Sequence, residues 1–282
     1  MTTVDSPADR LTRRLADRLG ELPEVEAVAL GGSRGRGQAD ADSDIDLYVF
    51  TRADIAVSTR AAVVERSGGA TRADLGLTYW GPGDEWLDAA TGLEVDVVYF
   101  DTRWLEAQLE RVLRAHEASL GYTTCFWDTV ANCQSLYDPR GWLQARQSEC
   151  RGEYPAELRA NIVRVNQPVL RAVLPAYANQ LHKAVRRHDL VSVNHRLAAL
   201  LASYFDIIFA VNRVRHPGEK RLLEHAAARC PSLPVEMAAD VEAVLRAGAV
   251  AEADLPAQLN RLLDRLDDWL VHEGLPVSGP AP

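Results

Sequence analysis

Three acidic residues and one glycine-rich turn carry the chemistry that this sequence can do. Gly31-Gly32-Ser33 follows directly on the apolar alternation Val25–Leu30. Glycines there let the backbone approach a ligand closely and take positive φ. If a helix starts at that point, its unpaired N–H groups make an anion site, and Ser33 adds a hydroxyl. About ten residues on comes Asp44-Ile45-Asp46, at the head of the run D-I-D-L-Y-V-F. On a strand, residues i and i+2 face the same side, so both carboxylates point one way. Two like charges held together are costly unless a cation joins them. Hard divalent ions such as Mg²⁺ take oxygen ligands of this kind and accept phosphate oxygens as co-ligands. Asp96 sits in the middle of L-E-V-D-V-V-Y-F, where an unpartnered acid is expensive to bury. If its strand lies beside that of Asp44 and Asp46, the three carboxylates meet and form a two-metal site. Such a site suits in-line displacement at phosphorus. Glu94 shares a face with Asp96 and is a fourth acid nearby.

The elements that must position these groups are legible as periodicities. Leu11, Leu15 and Leu19 give an amphipathic helix over 8–19, closed by Pro23. Strands are expected at 25–30, 44–50 and 93–100, with a shorter one at 75–80; Pro82-Gly83 reads as a loop. Helices are expected at 54–66 and from about 102 to 116. Beyond that no further convincing strand appears. Pro155 opens a helix carrying Leu158, Ile162, Val165 and Val169, with Pro168 and Pro175 expected to kink or divide it. The clearest helix runs from Leu190 to Val211, and others fall near 219–229, 234–247 and 255–272. The fold class is therefore α+β: an α/β head over residues 1–115, an α-helical bundle domain over 116–275, and a disordered tail at 276–282.

Gly32-Ser33, then Asp44-x-Asp46, then Asp96 on a later strand resembles the nucleotidyltransferase signature of the DNA polymerase β superfamily. The string S-D-I-D-L at 43–47 is close to that family's usual wording. The resemblance covers roughly residues 25–100. It implies a small mixed sheet with helices, Mg²⁺, and a nucleoside triphosphate bound at Gly32-Ser33. It further implies that Asp44 and Asp46 hold the metals, and that Asp96 is the third ligand or the base that deprotonates the acceptor hydroxyl. The helical half is similar, more weakly, to enzymes that adenylylate aminoglycosides or lincosamides. Those pair such a head with a helical bundle, and the segment Asn212–Lys220 looks like the stretch that lies near the nucleotide in them. Lys183 and Lys220 are the only lysines, and Lys220 stands out as a group to reach the triphosphate. The activity implied is transfer of AMP from ATP to a hydroxyl of a small acceptor, an aminoglycoside-like antibiotic being the first to name.

Composition narrows the partners. The net charge is -9, and residues 1–115 hold 21 Asp and Glu against 13 Lys and Arg. Binding a long nucleic acid draws its affinity from basic faces, so an acidic head argues against it and suits a metal and a cationic acceptor. No apolar run is long enough to span a bilayer and no apolar leader is evident, which points to the cytoplasm. Cys125, Cys133, Cys150 and Cys230 lack metal or redox spacing and read as reduced thiols. Arg34 and Arg36 read either as phosphate ligands or as a loop coat. Asp40 and Asp42 read as loop acids, Asn212 as a helix cap, and Arg186-Arg187-His188 as a solvated helix end. Trp80, Trp86, Tyr99 and Trp104 read as packing residues. Glu94, Glu149, Glu153 and Glu157 all stay open as a separate general base. Three rival readings share the head: nucleotidylation of a protein partner, an RNA- or tRNA-tailing enzyme, and a non-catalytic nucleotide-binding module.

Overall fold

The computed structural model describes residues 6–37, 43–79, 81–251 and 253–278. Asp40, Asp42, Trp80 and the end of the expected tail, 279–282, lie outside them. In chain order the elements are α1 (Pro7–Gly20), β1 (Val25–Leu30), α2 (Gly32–Gly35), β2 (Ile45–Thr51), α3 (Val57–Arg66), β3 (Ala70–Leu77), β4 (Gly83–Asp88), β5 (Glu94–Asp101), α4 (Thr102–Leu113), α5 (Cys125–Asn132), β6 (Gln134–Tyr137), α6 (Trp142–Glu149), α7 (Ala156–Arg171), α8 (Tyr177–Arg186), α9 (Leu190–Val211), α10 (Leu222–Arg229), α11 (Met237–Ala249) and α12 (Leu255–His272). The fold is the expected combination of a mixed sheet and a helical part. It separates into two compact units, one of residues 1–110 and 129–152, the other of 111–128 and 153–282.

In the first unit the strands run β3-β4-β5-β2-β1-β6. Only β2 and β5 are parallel; every other pair is antiparallel. One face is apolar. Ile45, Leu47 and Val49 of β2 and Val95 and Val97 of β5 are buried with Leu11, Leu15 and Leu19 of α1 and Val63 and Val64 of α3. Period-two alternation sends Asp46 and Tyr48 to the opposite face. Ser6 starts α1 with a capping box: its hydroxyl accepts the Asp9 N–H, and Asp9 accepts the Ser6 N–H.

Three strands depart from the sequence expectation: β3 covers Ala70–Leu77 where 75–80 was expected, and β4 and β6 were not expected. β4 starts at Gly83, in the Pro82-Gly83 pair read as a loop, and its inward positions are Asp84, Trp86 and Asp88, so two acids hide the apolar alternation. Asp84 is 1% exposed and is fully engaged. It accepts from Gly76 N–H at 2.7 Å, the Tyr99 hydroxyl at 2.8 Å and Arg60 at 3.1 Å. β6, at the edge beside β1, comes from a region expected to be helical only, so residues 129–152 return to the first unit instead of falling beyond a boundary at 115. Arg140, just after β6, grips the buried Glu26 of β1 through Nε at 2.8 Å and Nη2 at 2.6 Å.

The second unit is built on α9, whose Leu197, Leu200, Tyr204 and Ile208 are buried in one apolar cluster with residues of α7, α8, α11 and α12. Pro168 does not divide α7, which runs on to Arg171. Pro175 does fall in a break, between α7 and α8. Part of the expected tail is packed: Val277 lies against this core, and the Ser278 N–H donates to Gln167 at 3.1 Å. No helix among the described residues is long and apolar enough to cross a membrane.

Asp84 is the acid that fixes β4. Asp84→Ala leaves the Arg60 guanidinium unpaired at a site only 11% exposed, and loss of one member of a buried pair costs about 3–5 kcal/mol. Urea denaturation is expected to show a loss of that size, whereas Asp74→Ala, on the exposed side of β3, changes stability by under about 0.5 kcal/mol.

Candidate active site

The parallel register of β2 and β5 sets Asp46 directly beside Asp96. On the other side of Asp96 its antiparallel partner on β4 is Glu85, and beyond that Asp74 of β3 partners Glu85. Neighbouring strands lie about 5 Å apart, so four carboxylates form a row across the sheet. Asp46, Asp96 and Glu85 are half-buried, while Asp74 and Glu94 are exposed. Asp74 is held by Arg72 at 3.0 Å. Burial pushes the Asp96 carboxyl up to about 6, and the charges of Asp46, Glu85, Asp44 and Glu94 add to the rise.

The glycine turn closes on the other flank of Asp46. Gly31 N–H donates to the Asp46 carbonyl oxygen at 2.8 Å. Gly32 has φ +53°, and a Cβ added there would fall 1.7 Å from Asp46 Oδ2. Only glycine satisfies both the left-handed backbone and that approach. Ser33 follows inside α2. A single turn carries little macrodipole, so the anion-binding capacity of this turn is that of its individual amides and the Ser33 hydroxyl. Arg34, one of two arginines with an open role, is a clamp: Nη2 donates to Ser43 O at 2.6 Å and Nε to Asp44 O at 2.9 Å. It ties the turn to the start of β2.

The donor set fits a hard cation. The acids are oxygen ligands only, they crowd one face, and their mutual repulsion is already expressed in Asp96. Among the described residues no three acids, histidines or cysteines are close enough to form a finished metal cage. Asp46 and Asp96 are in register, and Asp44 lies just before the start of β2.

The remaining expected residues separate clearly. Lys220 is exposed on the segment between α9 and α10, in the second unit. Asn212 is the cap of α9: its amide donates to Ile208 O and Ser232 O, each at 2.8 Å, and its oxygen accepts from Ser232 N–H at 3.0 Å. Among the four open glutamates, Glu94 faces Asp96 electrostatically. Glu149 pairs with Arg146 at 3.0 Å, Glu157 pairs with His116 at 3.1 Å, and Glu153 is exposed. Trp86 is buried, Tyr99 bonds Asp84, and Trp104 stacks on Phe100. Glu85 was not foreseen. Its only signal was the outward position between Asp84 and Trp86, and that shows once β4 is recognised as a strand.

Residues 12–115 match the family described as "Nucleotidyltransferase domain". Over these residues the chain is similar to that family. The match contains Gly32, Ser33, Asp44, Asp46, Glu85 and Asp96, and ends just after α4. A solved nucleotidyltransferase-like protein from Exiguobacterium sibiricum 255-15 is similar over 94% of this chain and 74% of its own, with 15% identity and a TM-score of 0.43. No curated protein matches the chain.

Two outcomes follow for the acid row and the glycine turn. The folded value of Asp96 lies above the ordinary 3.8, so the charged form is the disfavoured one. Stability conferred by the neutral acid is therefore present near pH 4 and lost as pH rises through about 6. Asp96→Asn, in chelator, is expected to match the wild type near pH 4 and exceed it at pH 7.5 by about 1 kcal/mol, after allowance for solvent screening; denaturant melts at the two pH values read this directly. Gly32→Ala is expected to lose at least about a hundredfold in turnover, with circular dichroism spectra still showing a folded chain.

Proposed function

We propose that this chain catalyses Mg²⁺-dependent transfer of a nucleoside monophosphate, AMP from ATP, to a hydroxyl of a small cationic acceptor such as an aminoglycoside. The observation that carries the reading is the register of Asp46 with Asp96 on adjacent parallel strands, flanked by a glycine turn that only a Cβ-free residue can make. In this reading Asp44 and Asp46 hold two metal ions, and Asp96 is the third ligand or the base. The Gly32-Ser33 turn receives the triphosphate. The metal, when bound, offsets phosphate charge and acidifies the acceptor hydroxyl.

The protein's own groups divide the remaining work. Arg34 keeps the turn and the Asp44 segment at fixed spacing, which favours a preorganised approach of phosphate to carboxylate. Asp96, with its raised affinity for a proton, is suited to take one from an acceptor hydroxyl. Glu85 and Asp74 extend the negative row past Asp96, and this supports an acceptor that carries ammonium groups.

The test is pyrophosphate release from ATP and Mg²⁺ across a panel of aminoglycosides and lincosamides. Release is expected to require one acceptor class and to fall at least about a hundredfold in Asp46→Asn. Glu85→Gln is expected to raise KM for a cationic acceptor while leaving KM for ATP within about twofold. Release that persists in Asp46→Asn, or that ignores the acceptor, would overturn the reading.

A further inference from the structure

Tyr48, like Asp46, meets the glycine turn from β2. It stands two positions beyond Asp46 on the same face of the strand. A Cβ added at Gly31 would lie 2.3 Å from the Tyr48 ring and 2.7 Å from its hydroxyl oxygen. The ring therefore occupies the space where any other residue at 31 would put its side chain. The Gly32 backbone amide lies near that hydroxyl and favours its charged form. Around the ring, Thr129, Asn132 and Cys133 of α5 join Gly31, Gly32 and Arg36 in lining a void of only about 10 Å³, too small for more than about one water. The Tyr48 ring is thus half-buried between the turn and α5.

This has a consequence for which groups of the turn meet a ligand. An amide N–H has one proton to give. If the Gly32 N–H is given to Tyr48, the next groups along, the Ser33 N–H and hydroxyl, are the ones left to an anion. The same contact holds Gly32 in the left-handed conformation that lets Asp46 lie against its Cα. Tyr48 so links the anion-binding turn to the acid row.

We propose that Tyr48 is a positioning residue for the nucleotide: its hydroxyl holds the Gly32 amide and its ring backs Gly31, so that the turn presents Ser33 to the triphosphate beside Asp46. This rests on the reading of the turn as the triphosphate site. Loss of the hydroxyl frees the Gly32 amide and loosens the turn, without touching the acids. A lost hydrogen bond of this kind is worth about three- to tenfold in an equilibrium. The effect belongs in nucleotide binding and not in the chemical step.

The experiment compares wild type, Tyr48→Phe and Ser33→Ala for KM and kcat with ATP in the pyrophosphate-release assay, and for dissociation constants of Mg²⁺-tripolyphosphate by calorimetry. Tyr48→Phe keeps the ring, so its ligand-free melting temperature checks that the fold is intact. The expected result is a KM for ATP and a tripolyphosphate Kd raised about three- to tenfold, with kcat within about twofold. An unchanged or lowered KM overturns the proposal, because the hydroxyl then does nothing for the turn or competes with phosphate. A fall in kcat at constant KM also overturns it and moves Tyr48 to the chemistry. A second pair guards against a variant that fails to fold. Gly31→Ala is expected to weaken tripolyphosphate binding beside Tyr48, and to do so much less in a Tyr48→Leu background, where the clashing ring is gone. Equal losses in both backgrounds would sink the steric half of the claim. If wild type itself neither binds tripolyphosphate nor turns over ATP, the triphosphate reading fails instead, which is a distinct result.

Discussion

The parallel pairing of β2 with β5 is the constraint on which the first unit depends. It brings two carboxylates into register on one face, a contact that repels, and the fold holds it in place by burying the other face of the same two strands. Ile45, Leu47, Val49, Val95 and Val97 pack beneath α1 and α3, and a one-residue slip would turn every one of them outward. The strands therefore cannot relieve the acids by sliding. Burial first, and that repulsion with it, raise the proton affinity of Asp96, and a bound cation would lower it.

Around that pairing the supports are local and each has a single task. Asp84 satisfies three donors and pins β4. Arg34 spans from the turn to the carbonyls of Ser43 and Asp44. The second unit uses a comparable device: Asp206 of α9, 1% exposed, accepts the Thr123 N–H at 3.1 Å and the Thr123 hydroxyl at 2.6 Å. Burial pushes its carboxyl up to about 7. A buried acid that must find these donors fixes the path of the chain from Ser119 to Thr124 more tightly than apolar packing alone.

The parts of this architecture that were readable in the sequence are those written in local periodicity. The strands around Val25, Asp46 and Asp96 announced themselves by alternation, and α9 and α12 fall at the expected residues because their apolar stripes are unbroken. The three aspartates were recognisable by type and spacing. What stayed hidden was set by partners distant in the chain. β4 carries acids at its buried positions, so its pattern is inverted until Arg60, Tyr99 and Gly76 are known to meet Asp84. Glu85 gains meaning only from lying opposite Asp96. Gln134–Tyr137 is too short and too polar to declare itself, and becomes a strand because β1 has an open edge. Arg34 as a clamp depends on a loop returning to it, which spacing cannot reveal.

That edge strand has a further implication. β6 and the Arg140 grip on Glu26 finish a sheet whose other strands are complete by Asp101, so the first unit is discontinuous in the chain. During synthesis the head emerges in nearly finished form while the outer edge of β1 is still bare. Its unpaired N–H and C=O groups remain open to a neighbouring nascent chain until Tyr137 and Arg140 clear the ribosome. Folding of the head is thereby coupled to translation of residues that belong, by sequence position, to the second half of the protein, and the interval in between is the one in which this chain is most exposed to strand exchange with another copy.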